Sequence, residues 1–163
     1  MPELLLGPML RFVDGHRATV WVETSAPTTV EILGRASSTF TICGRHYALV
    51  VIDGLTPGSE YPYEVHLDAH QVWPEPDSDV PPSVIRTPTV DGDVTVVVGS
   101  CRAAAPHEEP FTLERSLDHE GRGIDTLWAH ARRMIDSERS EWPDLLLLIG
   151  DQIYADDSSP GAQ

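Results

Sequence analysis

No apolar run in the 163-residue sequence approaches the roughly 18–20 residues that a membrane span requires, so no membrane partner is expected. The start, Met1-Pro2-Glu3-Leu4-Leu5-Leu6-Gly7-Pro8, has no basic segment, and its apolar stretch is too short for a secretory signal. A twin-arginine leader is missing too, and the expected location is cytoplasmic. Cysteine is scarce. Cys43 and Cys101, far apart in sequence, do not make a disulfide framework and read as free thiols. Positive charge is also scarce: 11 basic residues stand against 26 acidic ones, a formal net charge of -15. Such a field repels polyanions and argues against nucleic-acid binding through a basic surface. It also disfavours anionic small substrates, unless bound cations reverse the field locally. There is no internal repeat, and the only compositional bias is the Pro/Asp-rich stretch from Pro74 to Pro82.

What is present divides into two patterns. Residues 9–88 read as all-β. Ala18, Val20 and Val22 alternate with Thr19, Trp21 and Glu23, the period of a half-buried strand. Further strands are predicted at Thr29–Leu33, Thr39–Cys43, His46–Ile52, Tyr63–Leu67 and Ser83–Thr87. Turn residues separate them, among them Gly34, Gly44, Asp53-Gly54 and Pro57-Gly58. Short strands at this spacing suggest a small β-sandwich. Leu55-Thr56-Pro57-Gly58-Ser59-Glu60-Tyr61 resembles the fibronectin type III corner, in which a tyrosine at a strand start bonds back to upstream backbone, and Tyr61 is assigned that role. Trp21 and Trp128 are expected in cores.

A boundary is expected near residues 88–93, giving a sandwich over 1–90 and a second region over 91–163. Val94–Val98 is a β-branched run ending at Gly99-Ser100-Cys101-Arg102. Ile124, Leu127, Trp128, Ala131 and Ile135 make one helical stripe. Leu145–Ile149, ended by Gly150-Asp151, reads as a fully buried strand. Strand, helix, strand is a βαβ pattern, so its two strands should be parallel neighbours. A two-stranded parallel sheet is apolar on both faces and needs further elements to cover it, so the region is expected to be the opening of a larger α/β domain.

Parallel neighbours would put Cys101 and Asp151 on one rim, at the carboxyl ends of their strands, where open α/β sheets place ligands. A thiolate beside a carboxylate suits a transition metal, and Tyr154, three residues after Asp151, adds a phenol of the kind that ligates ferric iron. Arg102 is a candidate phosphate contact through its guanidinium. His107 and Asp156-Asp157 read more simply as solvated.

Ser100-Cys101-Arg102 after one strand, followed by Gly150-Asp151-Gln152-Ile153-Tyr154 after the next, resembles the PhoD-like alkaline phosphatase family of calcineurin-like metallophosphoesterases. The order of sandwich, linker, Ser-Cys strand end, helix and Gly-Asp-x-x-Tyr strand end matches across nearly the whole chain. The resemblance implies that Cys101 binds iron, that Asp151 bridges metal ions as part of the catalytic centre, and that Tyr154 ligates the iron. It also implies a second, divalent ion, calcium in secreted members, and a phosphomonoester or phosphodiester substrate. The family's later Asn, Asp and His ligands have no counterpart within these residues, so little activity is expected of this chain alone. The alternative from a different class is a non-catalytic β-sandwich that serves as a binding module.

Overall fold

The computed structural model describes residues 1–151, except 77, 79, 90, 103 and 104. The described residues are mostly β-sheet with one α-helix, and the chain divides into two compact units, Met1–Gly92 and Asp93–Gln163. Among the described residues no helix is long and apolar enough to cross a membrane.

The first unit holds β1 (Leu4–Val13), β2 (Arg17–Thr24), β3 (Thr29–Ile32), β4 (Arg35–Ser38), β5 (Phe40–Ile42), β6 (Arg45–Asp53), β7 (Glu60–Pro62), β8 (Val65–Leu67), β9 (His70–Trp73) and β10 (Val84–Arg86). One sheet runs β1-β2-β6-β5 and a second runs β4-β3-β8-β9, while β7 and β10 form a separate pair. All these pairings are antiparallel. Period-2 alternation sends Ala18, Val20 and Val22 of β2 and Ala48, Val50 and Ile52 of β6 to one side. There they share a single buried cluster with Val30 and Ile32 of β3 and Val65 and Leu67 of β8. Each valine, leucine or isoleucine among them contributes about 1.5–3 kcal/mol on burial, the two alanines less.

Three two-residue hairpin loops set the register of these strands. Leu33-Gly34, Cys43-Gly44 and Asp68-Ala69 each have positive φ at both positions, the backbone of a type I′ turn, whose twist matches the flanking strands. Cys43 is therefore an exposed turn residue. Tyr61 accepts a hydrogen bond on its hydroxyl from the Thr56 backbone N–H at 2.7 Å. The Thr56 side chain first, and then this amide, hold the hydroxyl below the usual tyrosine range. Tyr63, two residues on, turns into the core instead, and burial raises its pKa.

The second unit contains β11 (Val96–Gly99), α1 (Thr126–Ile135) and β12 (Leu145–Leu148). The two strands pair in parallel, Val96 opposite Leu145 through Gly99 opposite Leu148. Leu145–Leu148 are not buried; each is 40–47% exposed, because a two-stranded sheet has too few neighbours to cover both faces. The helix begins at Thr126 with Asp125 as its cap, so Ile124 lies outside it and is exposed. The tryptophans also depart from expectation. Trp128 is 42% exposed and stacks on His107, with ring centroids 4.7 Å apart. Trp21 is only half-buried, on the opposite side of β2 from the core valines.

Candidate functional site

The β11–β12 ladder continues past both strand ends. Ile149 N–H donates to the Gly99 carbonyl at 3.0 Å, Cys101 N–H to the Gly150 carbonyl at 3.2 Å, and Arg102 N–H to the Asp151 carbonyl at 2.8 Å. This keeps the two exits in register and brings Cys101 and Asp151 together, as the parallel pairing requires. The Cys101 thiol donates to Asp151 Oδ2 at 3.7 Å, and Ser100 Oγ lies 3.3 Å from Cys101 Sγ. Ser100 Oγ also donates to the Gly150 carbonyl at 3.4 Å.

Both residues are exposed, and both have left-handed backbone, φ 57° at Cys101 and 47° at Asp151. A non-glycine residue in that region carries strain of about 1–2 kcal/mol, and such strain concentrates at functional sites.

The donor spacing can be tested against a metal ion. At metal–thiolate and metal–carboxylate lengths of about 2.3 and 2.1 Å and a tetrahedral angle, the two donor atoms of one site stand about 3.6 Å apart. The 3.7 Å between Cys101 and Asp151 fits that edge. Among the described residues no group of three or more His, Cys, Asp or Glu side chains is placed to hold a metal, so the pair supplies two donors. Tyr154 and Asp156-Asp157 lie outside the described residues.

Arg102 does not point freely to solvent. Its Nε donates to Asp125 Oδ2 at 3.0 Å and its Nη2 to the same oxygen at 2.7 Å, with a longer Nε contact of 3.3 Å to Oδ1. Asp125 is a second anchor as well as a counter-ion. Its Oδ1 accepts from Leu127 N–H at 2.9 Å and from Trp128 N–H at 3.4 Å, capping α1. The carboxylate is held below its ordinary pKa, first by Arg102 and then by the two amides, against an opposing effect of burial. Its side chain is 2% exposed. The Arg102–Asp125 pair therefore ties the residue after Cys101 to the start of α1, and any phosphate contact would fall to Nη1 and the second N–H of Nη2.

Beside this pair lies a recess of about 160 Å³, bordered by Ser100, Arg102, Leu127, His130, Leu146 and Leu148. Nε2 of His130 is buried without a hydrogen-bond partner among the described residues. Sequence reasoning missed both Asp125 and His130. Asp125 had a signal, an aspartate two residues before the apolar Leu127-Trp128 pair, the position of an N-cap. His130 had none, since a single histidine within a helical stripe carries no pattern.

A family model described as a domain of unknown function (DUF7800) matches residues 1–85. The chain belongs to the DUF7800 family. The DUF7800 match spans the first unit from its start as far as Ile85 in β10, so Cys101, Arg102, Asp125 and Asp151 all lie beyond it. No curated protein and no solved structure matches the chain.

Proposed function

We propose that this chain carries the opening part of a metal-dependent phosphoesterase similar to the PhoD-like alkaline phosphatases, preceded by a fibronectin III-like β-sandwich. One observation supports this above the others: a thiol and a carboxylate from neighbouring parallel strand ends stand 3.7 Å apart, a spacing that suits joint ligation of one ion. In this reading β11, α1 and β12 are the first βαβ unit of the catalytic domain.

Cys101 and Asp151 would hold iron, with Tyr154 as a further ligand and a divalent ion, calcium in the resembling secreted enzymes, as its neighbour. Such ions supply a nucleophile from water at neutral pH and offset the charge of a phosphoester. The protein's own part is positioning. The strained backbone at Cys101 and Asp151 aims both donors away from the ladder and onto the same rim. Asp125 fixes Arg102 one residue beyond Cys101, placing a guanidinium where a phosphate would be oriented. In a chain of net charge -15, cations gathered at this rim would create the local positive site that an anionic substrate needs.

The test is metal content with its spectrum. Purified chain loaded with iron should show a visible charge-transfer band, and Cys101→Ala and Asp151→Asn should each remove bound iron. A chain that takes up no iron, or holds it equally well in both variants, would refute the reading. The second reading, a β-sandwich binding module, draws support from the exposed apolar face of the first sheet, and iron-free protein would favour it.

A further inference from the structure

An antiparallel sheet with one solvated face alternates apolar inward and polar outward. The β1-β2-β6-β5 sheet does not. Directly opposed residues on adjacent strands share a face, and the outer rows follow from the register. Phe12 lies opposite Thr19, which lies opposite Val51. Met9 lies opposite Trp21, which lies opposite Leu49. Leu6 lies opposite Glu23, then come Tyr47 and Phe40. Trp21 and Tyr47 stack at 5.6 Å and Tyr47 meets Phe40 at 6.0 Å, so the face has an aromatic centre. Leu6, Met9, Phe12, Phe40, Leu49 and Val51 are each 41–57% exposed. Both sides of this sheet are therefore apolar, and among the described residues only the inner side is covered.

From this face we infer that the chain forms a twofold dimer, with the outer sheet of one copy packed on that of a second copy. Two arguments select a second copy as the occupant. The first is area. Large side chains of this kind, about half exposed, present on the order of 600 Å² per copy, and the arginine stems at the rim extend it. That approaches the roughly 800 Å² per partner of a stable protein interface.

The second is the arrangement of charge. On β6, Arg45 and Asp53 both point to the outer face, four residues to either side of Leu49. A twofold axis lying between two such faces and crossing the strands at Leu49 reverses strand direction. It sets Arg45 of each copy opposite Asp53 of the other, with the two Leu49 side chains meeting at the centre. On β2 the same axis carries Arg17 toward the end occupied by Glu23, whose carboxylate already accepts from Arg45 at 2.9 Å. The face is thus self-complementary, as an isologous contact demands. It is also the least acidic part of an acidic unit, with Arg11 beside Met9 and Arg17 over the Phe12 ring, so the net charge of the chain does not concentrate there. Aligned stacking of two sheets at about 10 Å would let the apolar rows interdigitate.

Sedimentation equilibrium of the full 163-residue chain, up to about 100 µM, reads this directly. The expected result is a reversible dimer of twice the 17.9 kDa chain mass. Leu49→Asp, at an exposed position that leaves the core intact, should weaken dimerisation at least tenfold with an unchanged circular-dichroism spectrum. Asp53→Arg should weaken it by about tenfold by opposing Arg45 of the second copy, a loss of about 1.4 kcal/mol. A chain that stays monomeric throughout overturns the inference. So does a dimer that Leu49→Asp leaves untouched, because its contact would lie elsewhere, and a dimer indifferent to Asp53→Arg overturns the proposed axis.

Discussion

Cys101 and Asp151 follow adjacent parallel strands, and each turns into left-handed backbone a few residues past its strand end. Fifty positions apart in sequence, they end with donor atoms 3.7 Å apart. Neither conformation is one that a cysteine or an aspartate adopts without cost. Replacing either by glycine should therefore stabilise the second unit, by about 1 kcal/mol, while removing one donor of the proposed iron site. Differential scanning calorimetry of Cys101→Gly and Asp151→Gly checks this. A drop in melting temperature would mean that side-chain contacts outweigh the strain.

The Arg102–Asp125 pair makes the second unit sensitive to acid. The folded-state pKa of Asp125 is depressed, so its contribution is fully present above the unfolded value of about 3.9 and is lost as pH falls through the folded value. Circular dichroism followed from pH 7 downward should show the α1 signal fading below that point. Asp125→Asn should keep much of the helix cap and lose this acid dependence. Arg102→Ala at neutral pH should cost about 1–3 kcal/mol, because it leaves a buried carboxylate without its counter-ion.

At the first unit's corner, Tyr61→Phe should lower the thermal midpoint, because Thr56 N–H loses its acceptor. The thermal scan of that single variant is the check. An unchanged midpoint would reduce Tyr61 to a surface residue that happens to lie near the turn.

Ala69 offers a test of turn strain. It holds φ 69° at the second position of the Asp68-Ala69 turn, where the Leu33-Gly34 and Cys43-Gly44 turns have glycine. Ala69→Gly should stabilise the first unit by about 0.5–1 kcal/mol, the relief of strain exceeding the entropy that glycine adds to the unfolded chain. Chemical denaturation measures the difference.

How much of this was legible in the sequence depends on the range of the interactions. The alternation in β2 and β6 and the β-branched run of β11 declared themselves, because period and composition are local. β1 did not. Its ten residues contain Gly7-Pro8, and its pairing with β2 shifts register at three places, so no alternation survives in the string. β4, Arg35–Ser38, is a polar edge strand without an apolar face to read. At the site, motif spacing pointed to Cys101 and Asp151, and parallel pairing was enough to predict a shared rim. The Arg102–Asp125 pair was beyond reach, since nothing local links residues 23 positions apart. Trp128 misled because a helical stripe marks an apolar side, whereas burial requires something packed on it.

In the proposed function Cys101 and Asp151 form one edge of a metal site. Iron titrated into the purified chain, followed by elemental analysis and visible absorption, tests it most directly. Bound iron with a charge-transfer band that disappears in both Cys101→Ala and Asp151→Asn is the expected result. Iron uptake unaffected by either substitution, or none at all in the unaltered chain, would contradict it.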